Sequence, residues 1–363
     1  MANNSLDKAR KEINKIDREM AELFVKRMRA VESVAEYKKE RGLAILDNSR
    51  EEEIIRQNSA LIEDEELREY YVNFLRNNMT VSREYQSRLM NGMKVAYSGT
   101  EGAFAHIAAN KLYPSAEKIA FGDFTSAYKA VERGECDIAV LPVENSYNGE
   151  VGQVTDLMFS GSLYVNGMFD LLVTQDLLAK KGTKIEDIRE VVSHPQAFGQ
   201  CAEYINKHGF TRHEFANTAL AAKWVAESTD NSVAAIGSQE AAEIFGLEVL
   251  DHDINENKSN STKFAIFSRV ANKQLSKDGR VHSILLFTVR NEAGALAKAI
   301  DVIGRYGFNM RTLRSRPMKE LLWEYYFYVE VEGNIQSEAG SSLMESLGEF
   351  CDKLKFAGTY IKL

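Results

Sequence analysis

Before Gly92 the chain carries one glycine, Gly42, and no proline, although the whole sequence holds 23 glycines and four prolines, Pro114, Pro142, Pro195 and Pro317. A stretch this poor in breakers reads as long helices. Leu6, Ile13, Ile16, Met20, Phe24, Val31 and Val34 recur at helical spacing and mark one face of a first helix over Ser5 to Arg41. The same pattern predicts a second helix over Ser49 to Leu61 and a third over Glu65 to Met90. At ~1.5 Å per residue the first would be ~55 Å long, too long for so small a domain to cover alone. Its apolar stripe needs a second chain, and an intertwined helical dimer is the simplest supply.

From Met93 to about Val270 short β-branched runs alternate with helical stretches. Strand candidates are Lys94 to Tyr97, Ile138 to Leu141, Leu171 to Thr174, Glu190 to Ser193, Val233 to Ile236 and Lys263 to Phe267. Alternation of this kind argues for α/β layers, here two small lobes, with ligands at the carboxyl ends of strands. Ala271 to Arg280 is polar and reads as a linker. Ser283 to Leu363 then follows the order βαββαβ of a ferredoxin-like unit, with its last helix over Ser337 to Leu354 and its last strand over Gly358 to Leu363. The expected organisation is multidomain: an all-α domain at 1–91, a two-lobed α/β domain at 93–270, a linker at 271–281 and an α+β ferredoxin-like domain at 282–363.

Composition narrows the partners. Forty-five basic against 53 acidic residues give a net charge of −8, which disfavours nucleic acid. No apolar run approaches ~18 residues and no apolar region follows the charged N-terminus, so neither a membrane span nor a secretory signal is expected. Cys136, Cys201 and Cys351 are too few and too scattered for a disulfide framework or a zinc set, so the cytoplasm is the default compartment. No metal and no cofactor is expected.

On a wheel of ~100° per residue the first helix's stripe fills an arc of about 160° to 240°; Arg27 falls near ~180°, Lys38 near ~200° and Arg10 just past the edge. Buried unpaired cations cost several kcal/mol, so these must meet anions, whether in bundle salt bridges, by snorkelling, or on a ligand. Ser82 lies in the apolar arc of the third helix, Gln86 follows one turn on, and Asp47, Arg50 and Glu51 cluster at the start of the second. Together they describe a polar pocket with excess positive charge, suited to a small di-acid. It has no nucleophile with a partnered base, which points to catalysis by orientation and electrostatics.

In type and spacing, Arg10, Arg27, Lys38, Asp47, Arg50, Glu51, Ser82 and Gln86 resemble the active-site pattern of the all-helical chorismate mutases. The resemblance implies that Arg27 and Arg10 hold carboxylates, Arg10 from the other subunit. It also implies that Lys38 and Gln86 donate to the ether oxygen, that Glu51 meets the C4 hydroxyl, and that Arg50, Asp47 and Ser82 position substrate.

Four motifs sit at strand ends in the α/β segment: YSGTEGAFAH (Tyr97 to His106), LPVENSYNG (Leu141 to Gly149), SHPQAFGQC (Ser193 to Cys201) and NSTKF (Asn260 to Phe264). Each alone reads as a capped turn, and His194 before Pro195 as a structural turn residue, but four together suggest one cleft. The set resembles the prephenate dehydratase domain, whose fold is similar to two-lobed periplasmic binding proteins. That resemblance implies Thr262 as the catalytic residue, a hydrogen-bond donor relaying through water or Glu144. It implies a substrate pocket of Glu144, Asn145, Ser146, Ser193, Gln200, Lys263 and Phe264. Lys263 stands where that family usually has Arg.

Asn291 to Ile300 and Arg314 to Pro317 resemble the paired signatures of an ACT domain, which implies an allosteric phenylalanine site of Asn291, Gly294, Ala295, Leu296, Ser315 and Arg316. Arg314 stands where Glu is usual. The aromatics of EYYFYVEV read as core or interface. The fused order resembles the bifunctional chorismate mutase/prephenate dehydratases. It implies chorismate and prephenate as substrates, feedback by phenylalanine, and a homodimer, with tetramers left open. The rival readings are a non-catalytic sensor of aromatic ligands and a mutase with an inactive dehydratase domain.

Overall fold

The structure is a computed structural model that describes residues 2–272, 281–318 and 324–362. Most of the expected linker, residues 273–280, lies outside the described residues. The chain divides into two compact units, Met1–Met93 and Lys94–Leu363.

The first unit is α1 (Ala2–Glu40), α2 (Asn48–Ser59) and α3 (Glu65–Asn91). Helix α1 gives way to Gly42, whose φ of +61° suits glycine, and α3 ends at Gly92, φ +83°. Asp47 caps α2 by accepting from Arg50 N at 3.0 Å, and Asp64 caps α3 by accepting from Glu66 N and Leu67 N at 3.0 and 3.1 Å. Each cap is worth ~1 kcal/mol. The C-terminal part of α1 packs on α3, burying Val31, Ala35, Leu75 and Met79. Its N-terminal part is uncovered: Leu6, Ile13, Ile16, Met20 and Phe24 remain 44–56% exposed.

The second unit opens with β1 (Lys94–Ser98), α4 (Phe104–Leu112), β2 (Glu117–Phe121), α5 (Phe124–Glu132), β3 (Ile138–Asn145), β4 (Gly149–Glu150), α6 (Gly152–Ser160) and β5 (Tyr164–Leu172). The chain crosses into a second lobe of β6 (Asp176–Ala179), β7 (Glu190–Ser193), α7 (Pro195–Gln200), α8 (Ala202–His208), β8 (Thr211–Glu214), α9 (Thr218–Glu227), β9 (Val233–Gly237), α10 (Gln239–Phe245) and β10 (Glu248–Asp251). It returns as β11 (Ser261–Ser268), which inserts antiparallel between β3 and β5. The sheets run β2-β1-β3-β11-β5, with β4 on β3, and β10-β6-β9-β7-β8. The two crossing segments are tied together, Ile254 N to Gln175 O at 2.8 Å and Gln175 N to Asn255 Oδ1 at 3.0 Å.

Last come β12 (Val281–Thr288), α11 (Ala295–Arg305), β13 (Asn309–Pro317), β14 (Tyr325–Glu332), α12 (Glu338–Gly348) and β15 (Leu354–Ile361), in the ferredoxin-like order β13-β14-β12-β15. Helices α11 and α12 cover one face through Leu285, Phe287, Val329, Val331, Ile303 and Leu343. The other face, Ile284, Leu286, Tyr326, Tyr328 and Ala357, joins Met158, Leu163, Val165 and Met168 of the first lobe in a single core. Burial on both faces explains why β12 reads as an unbroken apolar run. Gly358, φ +142°, lies where a Cβ would collide with the Val165 carbonyl.

Two expectations for this module needed correction. Helix α12 stops at Gly348, not Leu354, and β15 starts at Leu354, four residues before the expected Gly358. Leu343, Leu347, Phe350 and Leu354 keep helical spacing, but Phe350, Leu354 and Phe356 reach the same core from a turn and a strand. Leu171 to Thr174 is not one strand either: β5 ends at Leu172 and the chain is already crossing.

Candidate functional site

In the helical unit α1 and α3 bring Arg27 to Ser82, whose Oγ accepts from the guanidinium and donates to Asn78 O at 2.7 Å. Among the described residues no carboxylate lies within ion-pair distance of Arg27, and burial draws its pKa below the ordinary value. A half-buried guanidinium with no carboxylate at ion-pair distance can take an anion. Gln86, buried, donates to Ser82 O at 3.3 Å, while its Oε1 and the Oδ1 of Asn78 are buried without partners. Lys38 Nζ donates to Ile45 O at 2.6 Å beside Asp47, whose carboxyl is held below the usual range by the Arg50 N–H and the Ser49 hydroxyl.

Glu51 is ion-paired to Arg83, a partner the sequence reading did not single out, and Arg50 turns to Glu53 at 2.7 Å on its own helix. Arg10 and Arg27 are 17 residues apart on one straight helix, ~25 Å, so within one chain they cannot touch the same small ligand.

In the second unit a cavity of about 470 Å³ lies between the lobes. Ser98, Asn145, Thr262 and Phe264 reach it from the strand ends of the first lobe, and His194, Gln196 and Thr218 from the second. The loop before α4 turns through Gly99 and Gly102, φ +107° and +82°. Helix α4 has no side-chain cap, so its first N–H groups are open to a ligand at the cleft wall. His194 caps α7 by accepting from Gln196 N on Nδ1 at 3.2 Å, which leaves the proton on Nε2.

Among the described residues no lysine or arginine lines this cavity, and Glu150 is its one carboxylate. An anion there would meet the open N–H groups at the start of α4, since α7 and α9 are capped by His194 and Asn217.

Asn145 organises the centre. Its Oδ1 accepts from Tyr147 N and Asn148 N, both at 2.9 Å, which fixes the amide and turns Nδ2 toward Thr262 Oγ1 at 2.9 Å, Asn260 Oδ1 at 3.1 Å and Ser261 O at 3.2 Å. Because Thr262 Oγ1 accepts from Asn145, its own hydrogen is free to donate into the cleft. Gln200 lines the cavity and accepts from Gln175 Nε2 at 3.1 Å; Gln175, buried with an unpartnered Oε1, is a wall residue with no motif to announce it.

Several expected pocket residues lie elsewhere. Glu144 and Lys263 form the next rung of the same β3–β11 ladder and project from the opposite face, where Lys263 Nζ meets Glu144 at 3.3 Å. Neither lines the cleft, because successive side chains alternate across a strand; Glu144 is therefore not placed to relay for Thr262. Ser193 is fully buried and donates to Ile236 O at 2.7 Å, holding β7 to β9. Ser146 Oγ accepts from Ser261 N at 2.9 Å and fastens the loop after β3.

The C-terminal module has its own cavity of about 300 Å³, lined by Asn291, Leu296 and Ser315 together with Val289, Tyr325 and Phe327. Gly294, φ +85°, precedes α11, and Ala295 packs toward the module's core. Arg316 is not in this cavity: it reaches Asp156 at 2.9 Å and Glu150 at 3.4 Å in the first lobe. Tyr325, expected in core or interface, is at the cavity; Phe327 lines the cavity and packs on the module's core, and Tyr326 and Tyr328 are in the core.

Comparison with known proteins agrees with this geometry. Residues 9–87 match the family described as chorismate mutase type II, and residues 95–272 the family described as prephenate dehydratase. The bifunctional chorismate mutase/prephenate dehydratase of Neisseria gonorrhoeae is 30% identical over 97% of this chain and 95% of its own length. The chloroplastic arogenate dehydratase/prephenate dehydratase 2 of Arabidopsis thaliana is 34% identical over 77% of this chain and 76% of its own. The prephenate dehydratase of Arthrobacter aurescens, solved in complex with L-Phe, superposes with a TM-score of 0.68 at 25% identity, covering 74% of this chain and 90% of that one. With helical unit, two-lobed cleft and ferredoxin-like module in one chain, this protein belongs to the bifunctional chorismate mutase/prephenate dehydratase family.

Proposed function

We propose that the chain rearranges chorismate to prephenate in the helical unit and converts prephenate to phenylpyruvate in the cleft, with phenylalanine as feedback inhibitor bound in the C-terminal cavity. For this reading we take the domain limits expected from the sequence, 1–91, 93–270 and 282–363. In the mutase step Arg27, with Arg10 of a second chain, holds the two carboxylates, and Lys38 and Gln86 meet the ether oxygen as its C–O bond breaks. The open stripe of α1 is what makes a homodimer part of this reading. The three cysteines are unpaired, Cys136 and Cys201 buried, which suits the cytoplasm.

In the dehydratase step the bond from the ring to its carboxylate breaks, CO2 leaves, and that electron pair aromatises the ring as the C4 hydroxyl departs. The hydroxyl needs a donor, and Thr262 supplies one. The observation that carries this reading is the Asn145–Thr262 hydrogen bond, which leaves the hydrogen of a cleft-lining threonine free to donate. It favours an active dehydratase over a decayed one or a bare sensor.

Incubating purified protein with chorismate while following prephenate and phenylpyruvate tests both steps. Phenylpyruvate should form, about a hundredfold more slowly in Thr262→Val; prephenate accumulating unconsumed in the wild type would sink the second step. Saturating phenylalanine should slow the dehydratase more than the mutase, and Ser315→Trp, which fills the C-terminal cavity, should remove that response.

A further inference from the structure

Strand β13 serves two partners with its two faces. Ser315 lines the C-terminal cavity, and its neighbours Arg314 and Arg316 point the other way, into the first lobe. The Arg314 guanidinium donates to one oxygen of Glu144, whose other oxygen faces Lys263 Nζ at 3.3 Å. Arg316 lies so close over Gly152 that any Cβ there would strike it.

Glu144 and Lys263 are the rung adjacent to Asn145 and Thr262 in one antiparallel ladder. One rung faces the C-terminal module and the next faces the cleft. The ladder is irregular at this point, with a register shift between Lys263 and Phe264, so backbone pairing alone holds it less firmly than a regular stretch would.

We infer that Arg314 is a positioning residue for the dehydratase reaction, supplied by the C-terminal module. Its ion pair with Glu144, shared with Lys263, pins the rung behind Asn145 and Thr262 and sets the direction of the Thr262 hydroxyl. All three side chains are 27–30% exposed, so the cluster contributes little to global stability. Its value is in placement, because reaction rates are steep in the position of a reacting group. The same strand bears Ser315, so a ligand in the C-terminal cavity and the Thr262 hydroxyl are linked through adjacent residues of β13 and the Glu144–Lys263 rung that Arg314 pins.

The inference rests on Thr262 as the donor proposed above. Its test uses the full-length protein given prephenate directly, comparing Arg314→Gln, Arg314→Lys, Glu144→Gln and the double variant Arg314→Gln/Glu144→Gln. Each glutamine variant should lower the dehydratase kcat about tenfold, a barrier rise of ~1.4 kcal/mol, with KM held within about twofold. The double variant should be no slower than the slower single, and Arg314→Lys should recover most of the rate. A kcat within about twofold of wild type in both single variants overturns the inference, as do losses that multiply in the double variant or fall on KM alone. Should Arg314→Gln fail to fold, Glu144→Gln, near-isosteric and on the other side of the same pair, decides alone. Thr262→Val measured in parallel separates the two claims: a rate there within about twofold of wild type defeats the donor role, while a roughly hundredfold slower Thr262→Val beside an unaffected Arg314→Gln defeats only the positioning role.

Discussion

The helical unit and the inter-lobe cleft meet the same anion, prephenate, as product and as substrate, with different electrostatics. In the proposed helical site attraction comes from whole charges on helix faces, Arg27 and Lys38, with Arg10 of a second chain as part of that proposal. Among the described residues the cleft has no lysine or arginine in its lining, and it offers the open start of α4, amides and hydroxyls. The difference follows from the architecture. In the helical unit the starts of α2 and α3 are already capped by Asp47 and Asp64, so charge for a ligand must come from long side chains. An α/β lobe aims helix starts at the carboxyl ends of its strands, so backbone dipoles do the work there. The second difference is completeness: the cleft closes within one chain, whereas α1 leaves its stripe and Arg10 unused.

This contrast can be broken in order of expected effect. Truncating Arg27 to Ala removes a half-buried charge from its anion, at ~2–5 kcal/mol, and should lower mutase kcat/KM about a thousandfold. Dehydratase turnover of added prephenate should be unchanged; a parallel fall would mean that the two sites are not independent. Thr262→Val removes one developing-charge donor and should cost the dehydratase ~10²-fold in kcat, with the mutase intact. Phe24→Asp places a charge on the open stripe and should convert a dimer to monomers in sedimentation. It should lower mutase activity at least about tenfold at nanomolar protein, with recovery on concentration; a monomeric wild type with full mutase activity would refute the shared site.

The smallest effect is on pH. All six histidines lie beyond residue 105, so acidification near neutrality acts on the second unit and not on the helical one. Burial lowers the pKa of His106 below its ordinary 6.5, with Glu101 opposing and Lys118 adding to the shift. The unfolded chain then binds the proton first, so stability is full above pH 6.5 and declines as pH falls through it. Protonation also ends the acceptance by His106 Nδ1 of the Gly102 N–H, 3.2 Å away, beside the cleft wall. The thermal transition of the second unit should drop between pH 7.5 and 5.5 in the wild type and drop less in His106→Gln; identical shifts would remove His106 from the account.

Much of this was legible in the sequence, for reasons that differ by element. The three helices of the first unit stand close to their expected limits because periodicity and missing breakers are local signals. Strands β3, β7 and β9 could be read from buried β-branched runs, while β8 is exposed throughout and lies at a sheet edge, where no apolar pattern is needed. Strand β6, DLLA, is as short as β7 but has no β-branched residue to mark it. The site motifs at strand ends pointed to one cleft, and Asn145, Thr262, Gln200 and Phe264 are in it. Gln175 escaped notice because it lies in a crossing segment between lobes, and Arg83 because a cation on a solvated helix face is ordinary.

The sequence by itself determined the helical grammar of residues 1–91, the α/β alternation that follows, and the βαββαβ order at the end, since each depends on spacing within a few residues. Tertiary structure alone decided the faces. Glu144 and Asn145 are neighbours in the chain, yet one meets Arg314 and the other the cleft; Ser315 and Arg316 part in the same way. A strand sends successive side chains to opposite sides, and only the packing of its sheet says which side holds a ligand and which holds another layer of protein.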